Sequence, residues 1–524
     1  MRDFQQPGRS RVFATRAMAA TSHPLAVWTA LETMKAGGTA ADAAIAAAVL
    51  LGICEPHMTG LGGDCFVLVK PAGDDRIVAL NGSGRAPAAT DAARLRAEAT
   101  GPVLAGAHAV TMPGAVDAFC ALSERYGMLG LDRVLAPAIR YADEGVPVAP
   151  RVAHDWARAS GTLTGRARDL YLIDGAPPEP GTLYRAPGTA EVLRRIARDG
   201  RAGFYGGEVA DDMAASLAAL GGVHRADDFA EVACDWGEPV EGDYRGATLV
   251  EHPPNGQGIA ALLLTQILAR FDLASMDPLG ADRAHVEAEA TKLAYDARNR
   301  FLSDPAHMRD LHRFQAPETA DRLAALIDMK RAMPDPAPLT EAVHRDTVYL
   351  TVVDEDGMAV SLIYSIFAEF GSGLASDRFG VLFHNRGAGF SMAEGHPNEV
   401  GPGKRPLHTI IPAFLRTEGA TMPFGVMGGA YQATGHARFV SNLTDFGMAP
   451  QDAIDAPRCF STPEGLQVER GYREDVRADL AGRGHALIDP DRPIGGAQAI
   501  RIDRTAGVLE GASDPRKDGC AMGY

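Results

Sequence analysis

Thr347 is the strongest candidate for a reactive residue in this chain because of the residues on either side of it. Residues 333–340, MPDPAPLT, hold three prolines within five positions, which excludes a helix and predicts an extended linker. Residues 347–353, TVYLTVV, then begin a strand-like run. If the bond before Thr347 is cut, its free α-amine can act as the base for its own hydroxyl. One residue then supplies both the nucleophile and the base. The alternative is that the bond stays intact and Thr347 begins the strand only because threonine favours strands.

Two other segments contain groups that such a nucleophile needs. Gly428 and Gly429, in the sequence GVMGGA, can present backbone N–H groups to an oxyanion. A glycine pair also suits a plain tight turn after a strand. Residues 404–409, KRPLHT, can bring cationic and hydroxyl groups close to the nucleophile, or they can form a basic loop. The residues alone leave both alternatives open.

Apolar patterning predicts the elements that carry these residues. Residues 347–353 and 358–365 are almost continuously apolar and flank a DEDG turn, which predicts a β-hairpin covered on both faces. Residues 24–54 predict two helices separated at a glycine pair. The glycine-rich segment before Cys65 leads into a strand rather than a helix, which excludes a dinucleotide-binding loop. Residues 288–302 predict an amphipathic helix.

Composition excludes several classes of protein. A length of 524 residues indicates about three domains or fewer, and 46% hydrophobic with 23% charged residues is typical of a globular chain. The formal net charge of -16 disfavours binding to nucleic acid. The longest uncharged apolar run, residues 43–54, is too short to cross a bilayer. The basic N-terminal residues are not followed by the apolar stretch of a secretory signal, so a cytoplasmic location is expected.

The motifs of metal and nucleotide sites are incomplete in this sequence. Asp354 and Asp356 resemble the start of an EF-hand loop, but Met358 stands at the next ligand position. Residues 401–404, GPGK, lack the spacing of a phosphate-binding loop. The six cysteines form no CxxC pair, and the fifteen histidines do not cluster at metal-ligand spacing. No metal or organic cofactor is therefore expected.

Several long segments together resemble the gamma-glutamyltranspeptidase family of N-terminal nucleophile hydrolases over nearly the whole chain. These segments follow one another along the chain in the same order as in the family. They are GGTAADAAIAAAVLLGICEPHMTGLGGDCF, TVYLTVVDEDGMAVSLIYSIFAEFGSGL, VGPGKRPLHTIIPAFL, VMGGAYQATGHARF and LEGASDPRKDGCAMGY. The resemblance implies an α+β fold, a four-layer αββα sandwich. It also implies a precursor that cleaves itself into residues 1–346 and 347–524, which remain together as a heterodimer within one intertwined fold.

The resemblance assigns roles to four residues of the reaction centre. Thr347 takes the position of the catalytic threonine that begins the small subunit. Ser365 takes the position of the second hydroxyl residue, which in the family hydrogen-bonds the nucleophile and assists processing. Gly428 and Gly429 take the positions of the oxyanion glycines.

The recognition residues depart from the family pattern. Where the family holds the glutamate α-carboxylate with an arginine, this chain has Ser83, with Arg85 two residues further on. The positions that hold the α-amine are occupied by Phe367 and Gly389, and Arg386 replaces a neutral residue nearby. Ammonium recognition is therefore lost while a cation is gained, unless Arg386 is only a solvated surface charge. The residues expected to bind substrate are Arg386, Arg85, His408, Thr409 and Phe367.

These departures favour water over an amino acid as the final acyl acceptor. The expected activity is an amidohydrolase acting through a threonine acyl-enzyme on γ-glutamyl or related small carboxylate-bearing amides. The alternatives are an oxamate-type small-acid amidohydrolase, a cephalosporin or glutaryl acylase, and an inactive homologue that binds a carboxylate metabolite. The expected partners are a small-molecule amide and the two subunits of one precursor. No nucleic acid or membrane partner is expected, and association of heterodimers into a homo-oligomer is left open.

Self-processing provides the first test. We expect the Thr347 hydroxyl to attack the carbonyl carbon of residue 346, giving an ester that water then hydrolyses, so that the purified protein runs as two pieces. The Thr347→Ala variant should stay full length and inactive on a denaturing gel, and N-terminal sequencing of the smaller wild-type piece should begin at Thr347. Wild-type protein that stays uncut and yet hydrolyses amides would contradict this mechanism.

Overall fold

A computed structural model describes residues 8–99, 101, 103–308, 311–334 and 347–524. Two antiparallel sheets of seven strands each are stacked face to face, with small sheets at the periphery. The strands in chain order are β1 (Val12–Ala14), β2 (Met18–Thr21), β3 (Asp64–Lys70), β4 (Val78–Gly82), β5 (Val146–Pro147), β6 (Leu183–Tyr184), β7 (Asp235–Gly237), β8 (Val240–Tyr244), β9 (Ala247–Glu251), β10 (Val348–Val353), β11 (Ala359–Ser365), β12 (Ala413–Thr417), β13 (Ala420–Met427), β14 (Cys459–Thr462), β15 (Gly465–Val468), β16 (Leu487–Ile488), β17 (Gly496–Asp503), β18 (Val508–Ser513) and β19 (Cys520–Gly523).

Helices cover the outer faces of both sheets. No helix within the described ranges is both long and apolar enough to cross a membrane. The helices are α1 (Pro24–Lys35), α2 (Ala40–Cys54), α3 (Ala92–Glu98), α4 (Ala115–Tyr126), α5 (Leu131–Glu144), α6 (Pro150–Ala159), α7 (Gly165–Tyr171), α8 (Pro187–Asp199), α9 (Ala202–Tyr205), α10 (Gly207–Ala219), α11 (Ala226–Ala230), α12 (Gly258–Leu268), α13 (Ala281–Phe301), α14 (His312–Gln315), α15 (Pro317–Ala324), α16 (Tyr431–Thr444), α17 (Pro450–Asp455) and α18 (Glu474–Gly482).

The two sheets form the inner layers of the sandwich. The first sheet has the strand order β1-β18-β17-β13-β12-β9-β8, and the second has the order β19-β2-β10-β11-β3-β4-β7. Helices α12 and α16 pack on the first sheet, while α1 and α2 pack on the second. Aromatic and aliphatic side chains such as Phe66, Tyr349 and Met427 fill the space between the sheets. The predicted αββα fold is confirmed.

Local sequence signals explain the elements nearest the site. The predicted hairpin is β10 and β11, paired from Val348 with Tyr364 to Val353 with Ala359, and all of its strand residues are buried. The two predicted helices are α1 and α2, and α2 begins at a capping box formed by Thr39 and Asp42. Residues 335–346, which include most of the predicted linker and one side of the predicted cleavage bond, lie outside the described residues.

The prediction for residues 288–302 is wrong in one respect. The helix exists as α13, but it begins at Ala281 and most of its surface is buried. Several of its charged residues do not mark a solvated face: within the predicted range Glu289 is buried and paired with Lys292, and Arg298 is buried. Internal ion pairing of this kind removes the polar face by which an amphipathic helix is recognised.

Candidate active site

Strand register lines up the reactive residues at one end of the second sheet. Ser365, the last residue of β11, pairs with Asp64, the first residue of β3. Val348 pairs with Tyr364, so the next position along the same register places Thr347 opposite Ser365. Residues opposite each other in an antiparallel pair project to the same side of the sheet. Thr347, Ser365 and Asp64 therefore form a single row that faces the space between the two sheets.

The predicted nucleophile and the predicted second hydroxyl are in contact. Thr347 Oγ1 donates to Ser365 Oγ at 3.3 Å, and both residues are buried. Ser365 Oγ also accepts from the backbone N–H of Phe367 at 2.9 Å. Ser365 Oγ thus accepts from both the Thr347 hydroxyl and the main chain, which fixes its position beside the threonine.

Asp64 is the electrostatic centre of the site. The carboxylate is fully buried and accepts from the backbone N–H of Gly84 at 3.0 Å and from His408 Nε2 at 3.1 Å. His384 Nδ1 lies 3.4 Å and Arg386 Nε 3.7 Å from the same Oδ2 atom. Burial by itself would raise the pKa of Asp64, but the imidazoles of His384 and His408 hold this pKa well below its ordinary value. The residue is therefore an anion.

His408 serves as a neutral donor to that anion. Its Nδ1 accepts from the backbone N–H of Ile410 at 3.3 Å, so its Nε2 carries the proton that faces Asp64. Burial, together with the nearby charge of Arg386, lowers the pKa of His408 to about 3. The ring is packed against Phe66, with ring centroids 4.7 Å apart. His408 is thus part of the wall of the site and is uncharged at neutral pH.

Arg386 is a buried cation beside the row of Thr347, Ser365 and Asp64, here called the nucleophile row. It begins the short 3₁₀ turn Arg386–Gly389, and its side chain has no exposed surface, so the alternative of a solvated surface charge is excluded. Its Nη2 lies 3.5 Å from Ser365 Oγ and its Nη1 donates to Thr409 Oγ1 at 3.3 Å. Its guanidinium carbon lies 3.9 Å above the ring of Phe367. The cation is therefore one side chain away from Thr347.

Phe367 holds an unusual backbone conformation at this point. Its φ is 79°, a region that bulky residues rarely adopt. The conformation turns the chain out of β11, so that the N–H of Phe367 reaches Ser365 while its ring supports Arg386. A strained residue that performs two such contacts is typical of a functional site.

The glycine pair forms the turn between β13 and α16. Gly428 and Gly429 have φ angles of 118° and 56°, which favour glycine at both positions. Their carbonyl groups accept from the N–H groups of Tyr431 and Gln432 at the start of the helix. Within the described part of the chain, neither glycine N–H donates to another group. Two unpaired amides at the N-terminus of a helix are suited to receive an oxyanion.

Arg85 lies in a different environment from Arg386. Its side chain is about half exposed, and its guanidinium contacts Asp304 at 3.2 Å and Asp235 at 3.8 Å. Ser83, in contrast, is buried and accepts from Asn255 Nδ2 at 3.1 Å. A role for Arg85 in substrate binding stays a prediction.

Sequence reasoning missed Asp64 and His384. Asp64 was visible as a lone charged residue between a glycine cluster and a strand of continuous apolar residues, a placement that requires a buried partner. His384 carried no such signal, because its contacts with Asp64 and with the carbonyl of Thr111 arise only when distant segments meet.

One histidine cluster exists in space although none is visible in the sequence. His285, Glu289 and His485 are close enough to share a metal ion. Their atoms already have protein partners: Glu289 accepts from Lys292 Nζ at 2.7 Å, and His285 Nε2 lies 2.9 Å from the carbonyl of Asp328. His285 Nδ1 and His485 Nε2 are themselves 2.8 Å apart, a hydrogen-bond distance. This cluster therefore needs no ion to satisfy its polar groups.

Comparison with known proteins agrees with this geometry. A family model described as Gamma-glutamyltranspeptidase matches residues 26–524. The chain is 34% identical over 525 residues to the glutathione hydrolase-like YwrD proenzyme of Bacillus subtilis, covering 98% of this chain and 99% of that one. It is 35% identical over 532 residues to the oxamate amidohydrolase proenzyme of Klebsiella pneumoniae, with the same coverage. The crystal structure of a cephalosporin acylase from Bacillus halodurans matches with a TM-score of 0.92 at 38% identity, covering 100% of this chain and 99% of that one.

The buried charge of Asp64 predicts a large loss of stability when it is removed. Asp64→Asn leaves Arg386 buried without its anion, which should cost about 3–5 kcal/mol. The midpoint of thermal unfolding should fall accordingly. The control is Asp75→Asn at an exposed carboxylate that lies 3.4 Å from Arg504, where we expect a change within about 0.5 kcal/mol. Equal midpoints for the two variants would show that Asp64 does not balance a buried cation.

The glycine turn predicts a specific loss of turnover. A side chain at Gly429 forces the backbone away from its positive φ, so Gly429→Val should lower kcat by about 100- to 1000-fold per processed enzyme. Gly447→Val is the matched control, because Gly447 has a similar φ of 62° but lies in an exposed turn with open space around it. Unchanged kcat in Gly429→Val would make the pair a turn and nothing more.

Proposed function

Because the chain belongs to the gamma-glutamyltranspeptidase family, we propose that it hydrolyses amides of short acids that carry a second carboxylate and no α-ammonium group. The relatives make the chain an amidohydrolase of the N-terminal nucleophile type. The proposal concerns which acyl group it accepts and which of its residues perform the reaction.

The observation that carries the proposal is the position of Arg386. Its guanidinium is buried, and its Nη atoms face Ser365 and Thr409 next to the nucleophile row. Arginine offers planar, paired donors that match a carboxylate. An acyl group bonded to Thr347 would place a nearby carboxylate against this cation. The similarity to an oxamate amidohydrolase, whose named substrate has a carboxylate next to its amide, supports the same interpretation.

The charge distribution disfavours an α-ammonium group in the same place. An ammonium group needs an anion, and the carboxylate within the row is that of Asp64. Its oxygens already accept from a backbone amide and from His408, and they face the guanidinium of Arg386. Phe367 and Gly389 stand where the family pattern has acidic or amide side chains, and neither can accept from an ammonium group.

The reaction needs only groups on this chain and water. In the processed enzyme, the α-amine of Thr347 removes the proton from Oγ1, which attacks the amide carbonyl carbon. The resulting oxyanion accepts from the N–H groups of Gly428 and Gly429. The C–N bond then breaks as the ammonium returns its proton to the leaving amine. Water attacks the ester in the same way, releases the acid and restores the Thr347 hydroxyl.

Two other substrates remain candidates because specific relatives favour them. Hydrolysis of γ-glutamyl compounds is favoured by the similarity to a glutathione hydrolase-like proenzyme. Cleavage of a glutaryl or cephalosporin side chain is favoured by the close structural match to a cephalosporin acylase. The inactive-homologue alternative is disfavoured by the contact between Thr347 and Ser365. Cleavage between residues 346 and 347, a cytoplasmic location and assembly beyond the heterodimer stay predictions.

Substrate charge provides the test. Wild type should prefer glutaryl and oxamate-like amides to neutral amides of the same length, and to γ-glutamyl amides. Loss of a charged hydrogen bond of about 1.5–3 kcal/mol in Arg386→Ala should raise KM for the acidic amides by about 10- to 100-fold. KM for the neutral amides should stay the same, which makes each substrate pair its own control, and Arg386→Lys should retain part of the preference. Efficient γ-glutamyl turnover that Arg386→Ala does not affect would overturn the proposal in favour of glutathione hydrolysis.

A further inference from the structure

We propose that Gln257, itself oriented by Arg298, is a positioning residue. It fixes the turn formed by Gly428 and Gly429, here called the oxyanion turn, at a set distance from Arg386, the cation assigned to the acyl group under the proposed function. This inference rests on the proposed acyl-transfer function and adds two residues to its machinery. Neither residue touches the nucleophile row. Both act through the carbonyl groups of Thr409 and Gly429.

Gln257 connects the two sides of the site through its amide group. It is fully buried and immediately precedes α12. Its Nε2 donates to the carbonyl of Thr409 at 2.7 Å and to the carbonyl of Gly429 at 3.1 Å. Thr409 is the residue whose hydroxyl accepts from Arg386. A continuous chain of hydrogen bonds therefore runs from Arg386 through Thr409 and Gln257 to the oxyanion turn.

Arg298 fixes which way the amide points. Its Nη1 donates to Gln257 Oε1 at 2.6 Å, and a guanidinium can only donate. A flipped amide would place its NH₂ group against the guanidinium and its oxygen against two carbonyl oxygens. All three contacts would then be repulsive or lost. The cation therefore holds the two Nε2 donors toward Thr409 and Gly429.

The last turns of α13 hold Arg298 rigidly. The residue is buried, and its guanidinium carbon lies 4.2 Å above the ring of Tyr295. Its Nε donates to the side chain of Asn299 at 2.9 Å. Tyr295 provides a second contact with the turn, because its hydroxyl donates to the carbonyl of Ala430, the residue after the glycine pair. Helix α13 thus supports two consecutive carbonyl groups of the same turn.

The turn needs such support because its own residues supply little. Two consecutive glycines have the largest backbone freedom of any dipeptide, so their N–H groups have no intrinsic direction. Each peptide unit is planar, and anchoring its oxygen restricts the rotation of the whole unit. The bond from Gln257 fixes the peptide unit that follows the Cα of Gly429. The unit that precedes this Cα carries the Gly429 N–H, and its Gly428 carbonyl accepts from the N–H of Tyr431. With both units anchored, the Gly429 N–H can point in only one direction. Misplacement of a catalytic group by about 1 Å can cost about 100-fold in rate.

The test compares Gln257→Glu with a control at another buried glutamine. The glutamate keeps a bond to Arg298 but presents an oxygen, rather than a donor, to the two carbonyls. We expect kcat for acidic amides to fall by about 10- to 100-fold with KM unchanged. Gln451→Leu is the control, because Gln451 is a buried glutamine that bonds both the N–H and the carbonyl of Ser513 on β18, and it should keep wild-type kcat.

A second readout separates oxyanion placement from general damage to the fold. A boronic acid analogue of the acyl group forms a tetrahedral adduct with the threonine hydroxyl, whereas glutarate binds without one. In Gln257→Glu the affinity for the boronic acid should fall by the same factor as kcat, and the affinity for glutarate should stay the same. Equal losses for both ligands, or a kcat loss in Gln451→Leu of the same size, would overturn the proposal.

Arg298 gives a test that does not depend on the folding of one variant. Arg298→Lys keeps a cationic donor for Gln257 Oε1 and should retain more kcat than Arg298→Leu. Equal activity of these two variants would contradict the orienting role. If wild type hydrolyses γ-glutamyl rather than acidic amides, the proposed substrate fails, but the same kcat comparison on the γ-glutamyl substrate still decides the role of Gln257.

Discussion

The site depends on the strand register that places Asp64, Ser365 and Thr347 in one row. The three residues come from three adjacent positions across the second sheet, and each is a strand end or its immediate neighbour. A slip of one residue in either pairing would turn that strand's polar side chain toward the outer helices and an apolar one toward the site. The almost continuously apolar sequences of β10 and β11 make the register hard to specify from hydrophobic alternation alone. The burial of Asp64 supplies the missing constraint, because only this register gives the charge its partners.

Burial of that charge also organises the loops above the sheet. A buried carboxylate is costly unless it is paired and hydrogen-bonded, so the segments that carry His384, Arg386 and His408 must converge on it. A buried ion pair of this kind adds little net stability compared with an apolar core, but breaking it is expensive. The contribution of the Asp64–Arg386 ion pair is to fix the position of Arg386. The cation is held beside Ser365 and Thr409 in a single orientation, and the chain that leaves β11 must adopt the positive φ of Phe367 to support it.

The sequence predicts the fold better than it predicts the site. The hairpin, the helix pair before the glycine cluster and the four layers follow from apolar runs, turn residues and the family resemblance. The contact between Thr347 and Ser365 follows from the hairpin, since a turn at residues 354–357 fixes the register of its strands. The ion pair does not follow, because Asp64 and Arg386 are far apart in sequence and no periodicity links them. The same limit applies to α13, whose buried charges were indistinguishable from the polar face of a surface helix.

The arrangement separates chemistry from recognition. The nucleophile row belongs to the regular strands of one sheet, and the oxyanion turn ends a strand of the other, so both are fixed by the pairing of the sandwich itself. The groups proposed to recognise substrate come from irregular segments, the 3₁₀ turn at Arg386 and the residues around His408 and Thr409. Changes in those segments can replace an anion by a cation without moving Thr347 or Gly429. In this chain Gln257 links the two parts, because its amide bonds both the Thr409 carbonyl and the Gly429 carbonyl. On the proposed function, the loop residues select the acyl group, while the residues that carry out the reaction are held by the strands of the two sheets.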